Sequence, residues 1–299
     1  MSFGMILCAC RGDAADHNAL FTAFALCKAH LSSLRVLQTM APLPFLPEAE
    51  GLRGGFFPWT EDAPASAANP DISRRRAEEA AGLAAALARQ AGITIQPDDK
   101  DATGSVRSRA RLRIRTGTLD AFLPVESRCC DLVVMGYDSR CGAAGSPTAI
   151  AIRQSHRPVL LIPRTLGQAY LPTGRPDCVT IAWDDGVYCA NAVHGALPLL
   201  VTARRVRVVT VVESANDPES RITADFRAYL QSHGLESELC RVVRDGRGTG
   251  AALLSVCSRH PADLIVMGGS GRGGPSGSLS ADMTDYVLAH ARLPLLLSQ

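Results

Sequence analysis

Short apolar runs alternate with helical patterns through the first part of the chain. Each run has the length of a buried strand, and each intervening segment can form a helix that leads to the next strand. The apolar runs predict strands at residues 5–10, 34–40, 131–137 and 158–163, and a period-two alternation predicts a further strand at residues 106–115. It predicts helices at residues 17–31, 72–90 and 119–128, and a short helix from residue 146. Strands separated by helices favour parallel pairing through right-handed crossovers.

The same alternation starts again after residue 176. It predicts strands at residues 179–183, 206–212, 236–243, 264–267 and 293–297. It predicts helices at residues 189–202, 219–232, 249–259 and 283–290. We therefore predict an α/β fold of two tandem doubly wound, Rossmann-like domains, each with a five-stranded parallel sheet flanked by helices. The predicted domains span residues 1–165 and 176–299.

An internal repeat supports this division. The hexapeptide DLVVMG at residues 131–136 recurs as DLIVMG at residues 263–268. Residues 164–177, between the copies, contain glycines and prolines and are predicted to form a linker. Because the run 264–267 is apolar without alternation, we predict a central strand that lies beside residues 179–183 and is buried on both faces.

A long insert interrupts the first copy at residues 41–71. It is rich in proline and glycine, and it carries the aromatic residues Phe45, Phe56, Phe57 and Trp59. Loops of this length inside compact domains are usually functional or disordered. Three interpretations of the insert remain open: a lid, a docking arm for a partner, and a disordered loop.

Composition narrows the choice of function. The net charge is +2, and no apolar run approaches the ~20 residues that span a bilayer. The ten cysteines and seven histidines show no spacing typical of a metal site. The first residues lack the pattern of a signal peptide. We expect a cytoplasmic protein without membrane or metal binding. Nucleic acid is an unlikely partner, because the net charge is near balance and neither terminus carries a block of like charges.

A glycine-rich loop after residues 264–267 is the main candidate for chemistry. A strand that leads through such a loop into a helix N-terminus directs unpaired N–H groups and the helix dipole at one spot, where an anion can bind. The dinucleotide interpretation fails, because the acidic residue that binds a ribose some twenty positions further on is missing. A flexible surface loop is the alternative.

The spacing in this loop resembles that of the universal stress protein family. The family signature is Gly, two residues, Gly, nine residues, Gly, then Ser or Thr, and it holds the phosphates of ATP in the members that bind ATP. This chain has Gly268 and Gly271, but Ala281 and Asp282 stand where the second half of the signature is expected. The resemblance covers nearly the whole chain apart from the insert.

The resemblance implies an ATP or AMP site in the second domain. The implied residues are Asp184, Val211, Met267, Gly268, Gly271, Arg272, Gly273 and Asp282. We expect Ala281 and Asp282 to impair this site, although a bound Mg²⁺ would turn the Asp282 carboxylate from repulsive to bridging. In the first copy only Gly136 of the signature remains, and Arg11 stands at the position that Asp184 has in the second copy. We therefore expect the first copy to have a structural role only.

The resemblance also implies a regulatory or protective protein rather than an enzyme. Members pair through their last strands, which predicts a dimer-like unit of the two copies within one chain and leaves a homodimer open. An ATP-dependent transferase or pyrophosphatase would need a Ser-Gly-Gly-x-Asp-Ser type of loop after the first strand, and the chain lacks one.

Alternating arginines mark the predicted strand 106–115. They are Arg107, Arg109, Arg111, Arg113 and Arg115, all on one face. One interpretation is a scaffold surface for an anionic or macromolecular partner. The other is an edge strand that its charges protect from pairing with other chains. The resemblance places this strand at a sheet edge and favours the second interpretation.

Overall fold

The computed structural model describes residues 2–11, 16–40, 70–97, 109–139, 147–164, 170–244, 246, 248–269 and 281–299. The predictions about the aromatic insert, about Arg107 and about the loop glycines Gly271 and Gly273 lie outside these residues. Within the described part, no helix is both long and apolar enough to cross a membrane.

The first half contains six strands and four α-helices in the described residues. They are β1 (Met5–Cys10), α1 (Asp16–His30), β2 (Ser33–Met40), α2 (Pro70–Ala91), β3 (Thr94–Pro97), β4 (Arg109–Thr116), α3 (Leu119–Glu126), β5 (Leu132–Tyr137), α4 (Pro147–Gln154) and β6 (Val159–Pro163). The second half, within its described residues, contains five strands and four helices. They are β7 (Cys178–Ala182), α5 (Val187–Leu200), β8 (Arg205–Val212), α6 (Arg221–Ser232), β9 (Ser237–Val243), α7 (Thr249–Arg259), β10 (Leu264–Gly268), α8 (Ala281–His290) and β11 (Leu295–Ser298).

All the strands belong to one sheet. Its order is β3-β4-β2-β1-β5-β6-β11-β10-β7-β8-β9. Neighbouring strands are parallel within each half, whereas β6 and β11 are antiparallel and join the halves, with Leu295 opposite Leu161. The α/β fold with a mostly parallel sheet is thus confirmed, and the last strands of the two copies pair as the resemblance implied. The strands of one half run in the opposite direction to those of the other. The edge formed by the carboxyl ends of the strands, here called the carboxyl edge, therefore lies on opposite sides of the sheet in the two halves.

The first half differs from the prediction by one strand. It has six strands instead of five, because β3 pairs with β4 outside it. Sequence patterning missed β3 because this strand is only four residues long, has exposed Thr94 and Gln96, and ends at Pro97. Proline is tolerated on such an edge strand. The arginine-bearing strand β4 is therefore not at the edge, and that expectation was wrong.

The repeated aspartate of DLVVMG and DLIVMG holds the start of each half together. Oδ2 of Asp131 accepts hydrogen bonds from the backbone N–H groups of Gly4 and Met5, at 2.7 and 2.9 Å. Oδ2 of Asp263 accepts from Asp177 and Cys178 in the same way, both at 2.8 Å. The carboxylate thus pairs N–H groups at the start of β1 and of β7, which explains why the hexapeptide recurs with its aspartate.

The helices cover the sheet in two layers. Helices α1, α2, α5 and α6 pack on one face, and α3, α4, α7 and α8 pack on the other. Each layer has one continuous apolar cluster that extends across the junction of β6 and β11, since Phe24 of the first half and Leu197 of the second belong to the same cluster. The two halves therefore share their cores.

Candidate functional site

The predicted site lies at the carboxyl edge of β7 and β10. These strands are parallel neighbours, with Met267 opposite Ala182, so Asp184 and Gly268 are at the same edge. Strand β10 is central and its side chains are buried, which confirms its predicted position. From β7 the chain continues to β8 on one side, while β10 lies on the other. Ligands of doubly wound sheets bind at such switch points.

Gly268 allows the start of α5 to approach the end of β10. A Cβ atom at this position would lie 2.9 Å from the backbone nitrogen of Cys189 and 3.1 Å from Cβ of Tyr188. Gly269 has a similar role between the two halves, because its Cβ would lie 2.7 Å from Cγ2 of Ile152 in α4. The first glycine of the loop is therefore required by packing, whatever the loop binds.

Asp184 closes the turn between β7 and α5. Its Oδ1 accepts a hydrogen bond of 2.9 Å from the backbone N–H of Gly186, the residue before α5. The carboxylate is half-buried. Asp184 thus stabilises the turn, as aspartate commonly does in such connections, and it also lies at the candidate site.

Asp185 is a central residue of this edge that sequence reasoning missed. Its Oδ1 accepts hydrogen bonds from Nε1 of Trp183 at 2.7 Å and from Oγ1 of Thr223 at 2.9 Å. Its Oδ2 accepts from Oγ of Ser220 at 2.5 Å. The backbone of Asp185 has φ of 58°, a left-handed conformation that aspartate tolerates better than most residues. Two adjacent aspartates before a glycine are typical of a turn, but this local pattern carries no signal for the partners of Asp185.

The contacts of Asp185 join the end of β7 to the start of α6. Ser220 also caps α6, since its Oγ accepts from the backbone N–H of Thr223 at 3.0 Å. The Trp183 ring stacks on Phe226 of α6, with ring centroids 3.7 Å apart and planes within 6°. Hydrogen bonds and stacking together fix the relative position of β7 and α6 beside the candidate site.

We expect Asp185→Gly to destabilise the protein by about 1–3 kcal/mol. Glycine relieves the left-handed backbone, but the indole and the two hydroxyl groups lose a charged acceptor, and that loss is the larger effect. Urea unfolding measures the change. Asp185→Asn keeps a carbonyl acceptor and should lose less. A Gly variant at least as stable as the native protein would show that the contacts of Asp185 contribute nothing.

The other predicted site residues differ in their surroundings. Val211 is half-buried near the carboxyl end of β8, one strand away from β7. The Met267 side chain is fully buried in the apolar cluster on the α7 and α8 face. Asp282 is the second residue of α8. Gly271, Arg272 and Gly273 lie outside the described residues. The structure thus brings Asp184, Val211 and Gly268 to one edge of the sheet.

Comparison with known proteins identifies the second half of the chain. Residues 178–299 match the model of the universal stress protein family. They form a universal stress protein domain. No curated protein matches the chain significantly in sequence.

Solved structures extend the similarity of fold to the first half. A universal stress protein from Archaeoglobus fulgidus DSM 4304 is 16% identical with a TM-score of 0.66, and the match covers 99% of this chain and 98% of that one. A candidate universal stress protein from Pseudomonas aeruginosa UCBPP-PA14 is 16% identical with a TM-score of 0.56, covering 99% and 93%. A functionally unknown protein from Pseudomonas aeruginosa PAO1 is 14% identical with a TM-score of 0.50, covering 99% and 92%. Both halves thus have the fold of universal stress proteins.

The first half has a different carboxyl edge from the universal stress protein domain. Arg11 follows β1, and its backbone N–H donates to Oδ2 of the buried Asp16 at 2.8 Å. Tyr137 takes the place of Gly269, and its hydroxyl donates to the carbonyl oxygen of Ala291 in the other half at 3.1 Å. Burial raises the pKa of Tyr137, so this hydroxyl stays protonated and can donate. The Tyr137 contact therefore stabilises the junction of the halves, whereas the Arg11 contact lies within the first half.

The arginines of β4 have a buried partner. Glu126 of α3 is 7% exposed, and its carboxylate lies 2.5 Å from Nη1 of Arg113, 3.4 Å from Nη2 of Arg115 and 3.6 Å from Nη1 of Arg35 in β2. The interpretation of a protected edge strand is therefore wrong for these residues: β4 lies inside the sheet, and two of its arginines belong to an ion-pair cluster. Among the described residues, no group of three or more metal-binding side chains occurs.

Proposed function

We propose that this chain is a tandem universal stress protein with a regulatory or protective role rather than an enzymatic one. We further propose that its second half keeps an adenine-nucleotide type of site, which Ala281 and Asp282 weaken. The observation that supports the site best is the placement of Asp184 and Gly268 side by side at the switch point of the sheet.

The local geometry supports an anion near the end of β10. Gly268 packs against the first turn of α5, and α8 begins at Ala281, after the loop. Helix N-termini supply N–H donors and the positive end of a dipole to an anion. We assign the nucleoside part to Val211 and Asp184, because they lie near the carboxyl ends of the neighbouring strands β8 and β7.

Asp282 is the reason to expect weak binding. It is the second residue of α8, and a negative charge in the first turn of a helix competes with a phosphate for the positive end of the helix dipole. Two unit charges ~4 Å apart interact by ~1 kcal/mol in water and ~4 kcal/mol at an effective dielectric of 20. Repulsion of several phosphate charges therefore reduces the affinity by a few factors of ten. Ala281 adds an obstacle if the position needs the backbone freedom of glycine.

Calorimetric titration of ATP tests this proposal. We expect weak or undetectable binding to the native protein without Mg²⁺, and a clear gain in the Ala281→Gly, Asp282→Ser variant. Asp285→Ser is a matched control, since it removes one exposed carboxylate from the same helix without restoring the signature.

The outcomes separate the alternatives. Tight binding by the native protein without metal would contradict the weakening by Asp282. Binding that appears only with Mg²⁺ would support a bridging carboxylate instead. If neither the native protein nor the restored variant binds ATP under any condition, the site itself is not an adenine-nucleotide site.

A further inference from the structure

One face of the sheet in the first half is lined with arginine. Arg35 of β2 forms an ion pair with α3, and Arg111 of β4 is opposite Arg35 in register, so both lie on the α3 side of the sheet. Side chains alternate along a strand, which places Arg113 and Arg115 on that side as well. On the outer strand β3, Gln96 is opposite Arg111. We call this surface the arginine face.

The arginine face is accessible at its outer part. The apolar cluster on the α3 side extends outward as far as Leu37 of β2, and none of its described members belongs to β3 or β4. Gln96 is exposed, and the exposed fraction of the arginine side chains rises from 24% for Arg113 to 42% for Arg115. In the described part of the chain, α3 therefore covers the inner part of this face and leaves the outer part open to another molecule.

Positive charge exceeds negative charge on the described part of the arginine face. Glu126 supplies one carboxylate, and several guanidinium groups share it. Its Oε2 pairs with Arg35 and Arg113, and its Oε1 pairs with Arg115. One negative charge does not balance three guanidinium groups, and Arg111 adds a fourth on the same face. Such a local excess of one sign of charge attracts a partner of the opposite sign.

The chain itself shows which kind of anion the face accepts. Glu126 presents a carboxylate from a helix, and both of its oxygen atoms accept hydrogen bonds from guanidinium groups. Arginine binds carboxylates well, because its N–H groups form paired, charge-assisted hydrogen bonds with them. Successive arginines of β4 are two residues and about 6.6 Å apart. Carboxylates four residues apart on a helix, or two residues apart on an extended segment, have nearly the same spacing of about 6–7 Å.

Nucleic acid and long polyphosphate match this face less well than a protein segment does. The strand positions on the face carry no aromatic side chain on which a base could stack. Duplex DNA is read by an element that enters the major groove, and a sheet face supplies none. The net charge of the whole chain is only +2, so the attraction is local and favours a short segment over a long polyanion.

We propose that the arginine face is an interaction surface for an acidic segment of a partner protein. The carboxylates of that segment pair with the guanidinium groups of β4, beside the carboxylate that Glu126 already provides. This interaction belongs to the first half, and it is independent of the nucleotide site proposed for the second half.

Fluorescence anisotropy with a fluorescein-labelled hexaglutamate peptide tests the proposal. We expect the native full chain to bind the peptide at low salt and to lose affinity as the salt concentration rises. Gln96→Glu adds a carboxylate to the face without removing an arginine, and should weaken binding about fivefold. Gln231→Glu is the matched control, because it makes the same change of charge at an exposed position of α6 in the second half. Its effect should stay below about twofold.

Removal of an arginine supplies a second measurement. Arg115→Gln takes one positive charge from the accessible part of the face and should also weaken binding about fivefold. Urea unfolding of each variant shows whether its fold is retained. If Arg115→Gln lowers stability strongly, Gln96→Glu still tests the proposal, because Gln96 is exposed on an edge strand.

Four results would overturn the proposal. Three of them are no binding of hexaglutamate to the native protein at low salt, equal effects of Gln96→Glu and Gln231→Glu, and tighter binding of inorganic tripolyphosphate than of the peptide. The fourth concerns Asp98, Asp99 and Asp101, which follow β3 in the sequence. If the peptide binds only after all three are replaced by asparagine, acidic residues of the chain itself occupy the face.

Discussion

Glu126→Ala is expected to lower the free energy of unfolding by about 3 kcal/mol, the lower end of the range for breaking a buried ion pair. The carboxylate is 7% exposed, and it lies between the guanidinium groups of Arg35, Arg113 and Arg115. Without it, these positive charges repel one another in a partly buried place. The loss stays at the lower end because the arginine side chains keep 17%, 24% and 42% exposure, respectively.

Matched variants separate burial from simple loss of charge. Glu79→Ala also removes a glutamate from an ion pair with an arginine, but Glu79 is 68% exposed and Arg75 is 82% exposed. Its effect should stay within about 0.5 kcal/mol. Glu126→Gln keeps the shape of the side chain and two polar groups. Its loss of stability should therefore lie between those of Glu126→Ala and Glu79→Ala. Urea unfolding measures all three. Equal effects of Glu126→Ala and Glu79→Ala would show that the cluster contributes no more than a surface pair.

The sequence predicted most of the fold because burial leaves a local pattern. Strands such as β5 and β10 are short apolar runs, and they are buried on both faces. The strand β3 has no such pattern, since its four residues are too few and two of them are exposed. The domain limits 1–165 and 176–299 stay a prediction. Because the two halves share their apolar cores, whether each half folds without the other is a separate question.

Contacts between distant residues could not be predicted in the same way. The arginines of β4 were visible as an alternating pattern, but their partner Glu126 lies on another element and gives no periodic signal. Asp185 looked like an ordinary turn residue, and its partners Ser220 and Thr223 are more than thirty residues away. The repeated aspartates were visible as a repeat, yet their role depends on the register of β1 with β5 and of β7 with β10.

The two halves have diverged most at positions that do not define the fold. Arg11 replaces Asp184, Tyr137 replaces Gly269, and Leu7 replaces Thr180, while the strand order around them is the same. Strand pairing and the buried apolar faces tolerate these changes, because carboxyl ends and single buried polar positions contribute little to the pairing of strands. The carboxyl edge of the first half can therefore differ from that of the second half while the sheet remains intact.

Gly195→Ala is expected to destabilise the protein by about 1–3 kcal/mol, and Gly195→Val by more, because both changes overpack the junction between the halves. Gly195 lies in α5, where an added Cβ would be 2.1 Å from Cγ and 2.9 Å from Cβ of Pro158, the residue before β6. A proline ring has little freedom to move away. In most helices the same change is favourable, since alanine stabilises an α-helix by roughly 0.5–1 kcal/mol relative to glycine.

Gly82 provides the opposite case within the same protein. It lies in α2, and a Cβ added there meets nothing within 4 Å. Gly82→Ala should therefore stabilise by up to about 1 kcal/mol, and the two alanine variants should shift the urea midpoint in opposite directions. Adding Pro158→Ala to Gly195→Ala removes the ring atom that makes the closest contact and should recover part of the loss. If Gly195→Ala stabilises as much as Gly82→Ala, α5 does not pack on Pro158 closely enough to join the two halves.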